Sequence, residues 1–330
     1  MRSFCIAGCC LLIVGSSSLA VWAADKLVGI HSAIAVSQSL PIIAREAGLF
    51  RKYNLDFDLV LMRSSSTATA ALVGGDADVG LVGGIGIISA YVQGAQDFVF
   101  IGAVKNHLTH SIVARPDIKR PEDLKGKRIG VNRIGSNNHY FALQVLPRFG
   151  IDPAKDVIFR QTGGDAADVA ALLNGSVDAS AMLTYGQSAV AQGYHYLIYG
   201  PDMRIPYAAA AFVTRRSILA RRSQVIGQFM RAMAEASKVF HSDRESTFRI
   251  LTKYLRINDR KILETTYGNE VKAMDPKLEM KPEALQAILD EVSIIDARAK
   301  KVQVQQLTDR RYLDEMEKSG FFETLWGTKR

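Results

Sequence analysis

The chain has 330 residues, of which 48% are apolar and 22% charged; this is globular composition with length for about two domains. Its formal charge of +8 arises from 41 Lys and Arg against 33 Asp and Glu. These charges are spread along the chain rather than gathered on one element, which reads as a basic solvated surface and argues against nucleic acid as a partner.

Arg2, the apolar run Phe4 to Gly15 and the small residues before Ala23 have the layout of a secretory signal peptide over residues 1–23. A cut after Ala23 puts Val21 and Ala23 at the two small-residue positions, whereas a cut after Ala24 would require Trp22 to be small. All three cysteines, Cys5, Cys9 and Cys10, leave with this segment. The exported chain then has no thiol for disulfides, thiolate zinc sites or cysteine nucleophiles. Ile6-Ala7-Gly8-Cys9 looks like a lipoprotein box, but its apolar stretch follows the cysteine instead of preceding it. No later run reaches the roughly 18 apolar residues of a membrane span.

From Lys26 the chain alternates short apolar runs with helix-length amphipathic stretches. Strands are expected at Leu27–Ile30, Asp56–Met62 and Val79–Val82. Helices are expected at Leu40–Ala47, capped by Ser39 with Pro41 in the first turn, at Thr67–Val73, and from Gly84 onward. About a hundred residues later the plan returns. Ala70 to Asp78 aligns without gaps on Ala170 to Asp178 with five identities in nine, each copy a helix end, a glycine turn and an aspartate opening a strand. Arg128–Val131, Asn137–Phe149, Val157–Gln161 and Ser180–Leu183 repeat the remaining order. Two α/β lobes built on one plan, each with a mostly parallel sheet flanked by helices, account for this.

Phe98–Val104 and Ser111–Ala114 are candidates for outgoing strands between the lobes, and Ala208–Val213 for the returning one. The tail from Ser217 reads as helices only: Arg222–Phe240, Ser242–Leu255, Lys261–Tyr267, Lys281–Ala297 and Thr308–Ser319. Ser242-Asp243-Arg244-Glu245 has the pattern of a capping box.

Ligands of open α/β sheets bind at the carboxyl ends of the strands, where helix N-termini present unpaired N–H groups. That rule selects the loops with Ser32 and Ala33, with Ser64 and Ser65, and with Gly83 and Gly84 in the first lobe. In the second it selects Ser136, Asn137 and Asn138, the loop of Gly164, and Thr184 and Tyr185. His107 is a further candidate contact. Arg63, Arg133 and Arg204 each adjoin such a loop and could meet an anion, whereas Asp165 is the sole acid in these six loops and reads as a cap. A neutral or anionic ligand is therefore expected in preference to a cation.

Other motifs are weaker. Gly84-Ile85-Gly86-Ile87-Ile88-Ser89 lacks the last glycine of a dinucleotide fingerprint. His107 and His110 have no third ligand for a metal, and neither a phosphate-loop lysine nor a Gly-x-Ser-x-Gly elbow occurs. The sequence thus points to binding rather than catalysis, with no cofactor and no metal.

The run Pro41-Ile42-Ile43-Ala44-Arg45-Glu46-Ala47-Gly48-Leu49-Phe50 with Tyr53, the turn Ala71 to Asp78, and Pro121-Glu122-Asp123-Leu124-Lys125-Gly126-Lys127-Arg128-Ile129-Gly130-Val131 resemble the nitrate, taurine and alkanesulfonate class of ABC-transporter substrate-binding proteins. The likeness spans Lys26 to about Arg216 and is general in the tail. It implies a type II periplasmic binding-protein fold, with a first lobe at 24–115 plus 207–330, a second at 116–206, and hinges near Ala114 and Phe212. It also implies a monomer that captures a small anionic or neutral polar or aromatic solute in the cleft and hands it to an inner-membrane permease with its ATPase. An exported sensor or enzyme using the same cleft is the alternative. The similar pyrimidine synthases of thiamine biosynthesis depend on a cysteine-rich motif that this chain lacks.

Overall fold

The computed structural model describes residues 24–183 and 186–327, apart from the side chain of Asp165. The leader and its cleavage point, Thr184 and Tyr185 lie outside the described residues. In chain order the first elements are β1 (Asp25–His31), α1 (Leu40–Glu46), α2 (Leu49–Lys52), β2 (Leu55–Leu61), α3 (Ser65–Gly74), β3 (Val79–Val82), α4 (Gly84–Val92) and β4 (Phe98–Leu108). There follow β5 (Ser111–Ala114), β6 (Arg128–Val131), α5 (Asn137–Val145), β7 (Ile158–Gln161), α6 (Asp165–Leu173), β8 (Ala179–Met182), α7 (Gly186–Val190), β9 (His195–Ile198) and β10 (Ile205–Arg215). The tail supplies α8 (Arg216–Ser242), α9 (Arg244–Leu255), α10 (Arg260–Val271), α11 (Pro282–Ile295), α12 (Arg311–Lys318) and α13 (Phe321–Trp326).

Two five-stranded sheets result, in the orders β2-β1-β3-β10-β4 and β7-β6-β8-β5-β9. They are mixed: the first three strands of each order are parallel, and the fourth runs antiparallel to its neighbours on both sides. The internal repeat is thus a repeat of topology. It extends to single hydrogen bonds. Asp78 accepts from the Val28 N–H at 3.0 Å, and Asp178 accepts from the Arg128 N–H at 2.9 Å. Gly75 and Gly175 turn out of the preceding helices with φ of 88° and 72°, a left-handed conformation that only glycine adopts without strain.

The chain passes from the first sheet to the second between Leu108 and Ser111, and returns between Ile198 and Ile205. Ser111–Ala114 lies before the expected lobe division at 115/116, yet it pairs with β8 and β9 of the second sheet. Ala114 and Phe212 each sit between two neighbouring strands. A residue held on both sides cannot absorb a rotation, so neither is a hinge.

One core of buried side chains covers a face of the first sheet beneath α1, α8 and α9, including Leu40, Phe212, Phe229 and Phe240. Another runs from the first sheet through Tyr140 and Phe141 of α5, beside the second sheet, to Ile288 of α11. The tail touches both sheets' layers: α10 packs on α7, and Gln144 of α5 donates to Glu291 of α11 at 2.6 Å. Two expected helix starts shift for local reasons. α8 begins at Arg216 and kinks at Arg222, where φ is −134°, because the Arg222 guanidinium is drawn to Asp78 and to the Lys26 carbonyl. The cap of α9 is Asp243 rather than Ser242, accepting from the Ser246 N–H at 3.0 Å. Ser39 does not cap α1; its hydroxyl donates back to the Val36 carbonyl. Among the described residues no helix is long and apolar enough to cross a membrane.

Candidate functional site

The parallel strands β1, β2 and β6 end facing one another across a cavity of about 290 Å³. Ser32, Ala33, Ile34, Leu61 and Arg63 line it from the first sheet, and Asn132, Gly163, Gly164, Ala166 and Ala167 from the second. Arg63 is exposed at this rim and forms no ion pair among the described residues. Opposite it, Gly163, Gly164 and the first residues of α6 bring a helix N-terminus to the wall, a partial positive charge.

Ser32, Ala33 and Asn132 also line a second, smaller chamber of about 30 Å³, together with Gln38, Ser65 and Lys105. His110, Ser136, Asn137 and Asn138 complete much of its wall. Polar groups at this depth need partners, and most have them. The Gln38 side chain accepts from the Ser32 N–H at 3.2 Å. Asn137 Oδ1 accepts from the Ser65 hydroxyl at 3.3 Å and from the Tyr207 hydroxyl at 2.9 Å, while its Nδ2 donates to the Ala209 carbonyl at 3.0 Å. Asn138 Nδ2 donates to the Ala181 carbonyl at 2.6 Å. Asn137 belongs to α5 and its partners to α3 and β10, so these bonds run between the two sheets' layers.

Lys105 is 1% exposed. Its ammonium donates to Thr109 Oγ1 at 2.8 Å and to both Glu270 oxygens at 3.0 and 2.8 Å. That uses all three donors, so the buried cation is neutralised within its own pair. Among the described residues two groups of this chamber lack partners: His110 Nδ1 and Asn132 Oδ1 are buried without one. Burial first, and the Lys105 charge second, push the His110 pKa down to about 3, so the ring is neutral. His31, at the end of β1, is likewise held neutral by burial, with a pKa down to about 4.

Of the residues expected at a ligand, Ser32, Ala33, Ser65, Ser136, Asn137, Asn138 and Gly164 come together at these two chambers. Ser64 instead caps α3, accepting from the Ser66 N–H at 3.2 Å. Gly83 lies against Asn137; a Cβ there would fall 1.9 Å from Oδ1. Gly84 packs under Ile288 and Ala208. Both glycines serve close approach of the layers and do not line either chamber. His107 opens with Arg204 onto a separate groove beside the crossing segments. Of the candidate arginines only Arg63 reaches the cavity. Asn132, Gln38, Lys105 and His110 were not expected. Asn132 directly follows β6, as Ser32 follows β1, so the strand-end rule applied to the first residue after the strand would have found it.

A family model described as NMT1/THI5 like matches residues 38–246. The chain belongs to the NMT1/THI5-like family. A protein of Brucella abortus (strain 2308) named as a binding protein is 26% identical over 242 residues, 70% of this chain and 72% of that protein. The taurine-binding periplasmic protein of Escherichia coli (strain K12) is 32% identical over 123 residues, 36% of this chain and 35% of its own. Among solved structures, the alkanesulfonate-binding protein of Xanthomonas axonopodis pv. citri bound to MOPS superposes with a TM-score of 0.72 at 22% identity, covering 87% of this chain and 98% of that one. A desulfurization enzyme superposes with a TM-score of 0.69 at 14% identity, covering 89% and 99%. The fold is therefore that of periplasmic binding proteins, as expected, and it also carries an enzyme.

Proposed function

We propose that this chain is an exported solute-binding protein that closes on a small anionic or neutral polar solute and delivers it to an ABC permease with its ATPase. The observation that carries the reading is the cavity of about 290 Å³ walled by strand ends of both sheets, with Arg63 on one side and the N-terminus of α6 on the other. A ligand touching both walls stabilises the closed arrangement by its differential contacts. Its volume suits a small solute, at the lower end of the ~300–1,000 Å³ typical of ligand pockets. The taurine-binding and alkanesulfonate-binding relatives make a sulfonate the first anion to test.

On this reading the first lobe is residues 24–115 with 207–330 and the second 116–206, adjusted so that Ser111–Ala114 moves with the second sheet. Bending then falls at Thr109–His110 and at Met203–Arg204, where Arg204 adopts a left-handed φ of 46°. Residues 1–23 act as the leader and the protein resides in the periplasm, which N-terminal sequencing of the secreted form tests by a start at Ala24.

Calorimetry with propane-1-sulfonate and with taurine, paired with small-angle scattering, tests the function. One-to-one binding with compaction, weakened in Arg63→Gln, is the expected result. Binding without compaction, or chemical turnover of a bound compound, would overturn it in favour of an enzyme using the same cleft.

A further inference from the structure

Ligand binding at the cavity leaves open what the inner end of the ligand is. The floor narrows the answer, because its groups divide into those already satisfied and those waiting for a partner. Lys105 is spent on Thr109 and Glu270. Asn137 uses its carbonyl oxygen twice. Asn132 differs: it is 7% exposed, its side chain makes no hydrogen bond among the described residues, and its Oδ1 is buried without a partner. It lines both chambers, as Ser32 and Ala33 do. His110 is 2% exposed, lines the smaller chamber, and leaves Nδ1 unpartnered. Its ring is fixed against Phe141, with centroids 5.9 Å apart and planes at 28°.

A buried amide oxygen and a buried ring nitrogen without partners are destabilising until something fills them. A sulfonate or carboxylate inserted at the floor offers acceptors only and finds no available cation there, since the ammonium is committed. An alkyl end offers nothing. A carboxamide offers a donor and an acceptor side by side, the complement of the Asn132 amide.

We infer that Asn132 and His110 form a specificity subsite for a neutral, hydrogen-bonding head group of the carboxamide type, with the ligand's anionic end at Arg63. Asn132 engages the head group directly. His110 engages it directly or through one water, for which the smaller chamber of about 30 Å³ has room. The ligand class is therefore a short monoanion carrying an amide at the far end. This deepens the proposed binding function and rests on it.

The test holds one scaffold constant and changes its end: propane-1-sulfonate, 3-sulfopropanamide, 3-sulfopropanoate and homotaurine, titrated by calorimetry into the full exported chain. The amide is expected to bind about tenfold or more tighter than the alkyl and carboxylate probes, the ratio that ~1.4 kcal/mol provides. Asn132→Leu and His110→Phe should bring the amide to within about twofold of the alkyl probe, while Arg63→Gln weakens all sulfonates alike. The thermal midpoint of each variant, measured without ligand, shows that it has folded. Asn132→Ser, which keeps a donor and acceptor on a shorter side chain, should retain part of the preference. If the probes bind but the amide holds no advantage, or if the advantage survives in Asn132→Leu, the subsite is refuted while the binding function stands. If none of the probes binds the unaltered protein, the sulfonate reading of the cavity fails and the subsite with it.

Discussion

The hydroxyl of Tyr207, on the strand returning to the first sheet, donates to Oδ1 of Asn137, the first residue of α5 beside the second sheet, at 2.9 Å. The Tyr207 hydroxyl oxygen itself accepts from the Ile85 N–H at 3.2 Å, so one phenol joins the start of α4 to the start of α5. Its burial is complete and drives its pKa upward, which keeps it a donor. Tyr207→Phe keeps the ring but strands an N–H and lowers the satisfaction of Asn137. A loss of about 1–3 kcal/mol is expected from urea denaturation. Scattering should show a less compact average shape without ligand.

Gly83 makes the complementary prediction. A methyl there would sit 1.9 Å from Asn137 Oδ1, so Gly83→Ala must push the layers apart or displace the asparagine. Affinity for whichever sulfonate binds the unaltered protein should fall about tenfold or more, the equivalent of ~1.4 kcal/mol. An unchanged affinity would show that closure does not depend on this contact.

Lys105 and Glu270 form a buried pair in which Thr109 also takes part. Lys105→Met leaves a buried carboxylate without its cation, and a loss of about 3–5 kcal/mol is expected. Adding Glu270→Leu should restore most of it. A double variant no more stable than the single one would mean that the pair positions the crossing segment as well as neutralising itself.

Two buried histidines give the chain an acid-side sensitivity. His31 and His110 have pKa values lowered to about 4 and about 3, in both cases by burial first, whereas an unfolded histidine titrates near 6.5. Below that pH the unfolded chain binds protons that the folded chain refuses, so stability falls as pH drops from about 6.5 towards 4. Each histidine contributes roughly 1–2 kcal/mol between pH 7 and 5. Denaturation at the two pH values should show the loss, and His110→Phe should remove part of it, the rest staying with His31 and with the half-buried His107 and His139, whose pKa values burial also lowers.

Asp178 acts lower on the scale. The Arg128 guanidinium and N–H hold its carboxyl down to about 2, with Arg115 adding to the effect. Its stabilisation is complete above about pH 4 and is lost as pH falls towards 2. Asp178→Asn should cost about 1–2 kcal/mol at pH 7, after allowance for solvent screening, and progressively less as pH falls from about 4 through 2. The measurement is a urea midpoint across that range.

Much of this architecture is legible in the sequence because apolar period and punctuation agree. The strand at Val79–Val82 and the helix before Gly75 follow from local pattern alone, and the match of Ala70–Asp78 to Ala170–Asp178 gives the second sheet its plan. β9 escapes such reading because three of its four residues are only half-buried, which blunts the apolar pattern. α2 is four residues long and carries no period. At the site, small and hydroxyl residues mark the right loops but not which of them cap, pack or face the cavity. Ser64 and Gly83 have the same composition signal as Ser65 and Gly164, and only tertiary placement separates them. Lys105 is a lysine inside β4, directly after the apolar run Phe98–Val104, a conflict visible in the sequence whose resolution by Glu270, 165 positions away, is not.

The two sheets differ in when they can be completed. The second is made wholly from Ser111–Ile198, a continuous stretch, whereas the first needs β10 to insert between β3 and β4 after that stretch has been made. Phe212 must find Leu81 and Gly102 across an already lengthy chain, a non-local closure of the kind that slows folding. The order of assembly is therefore built into the topology: the inserted sheet can form early, while the sheet that opens the chain waits, with β3 and β4 unjoined, for its central strand. During that wait its edges are exposed, which is when the chain is most open to mispairing and most in need of a holding chaperone.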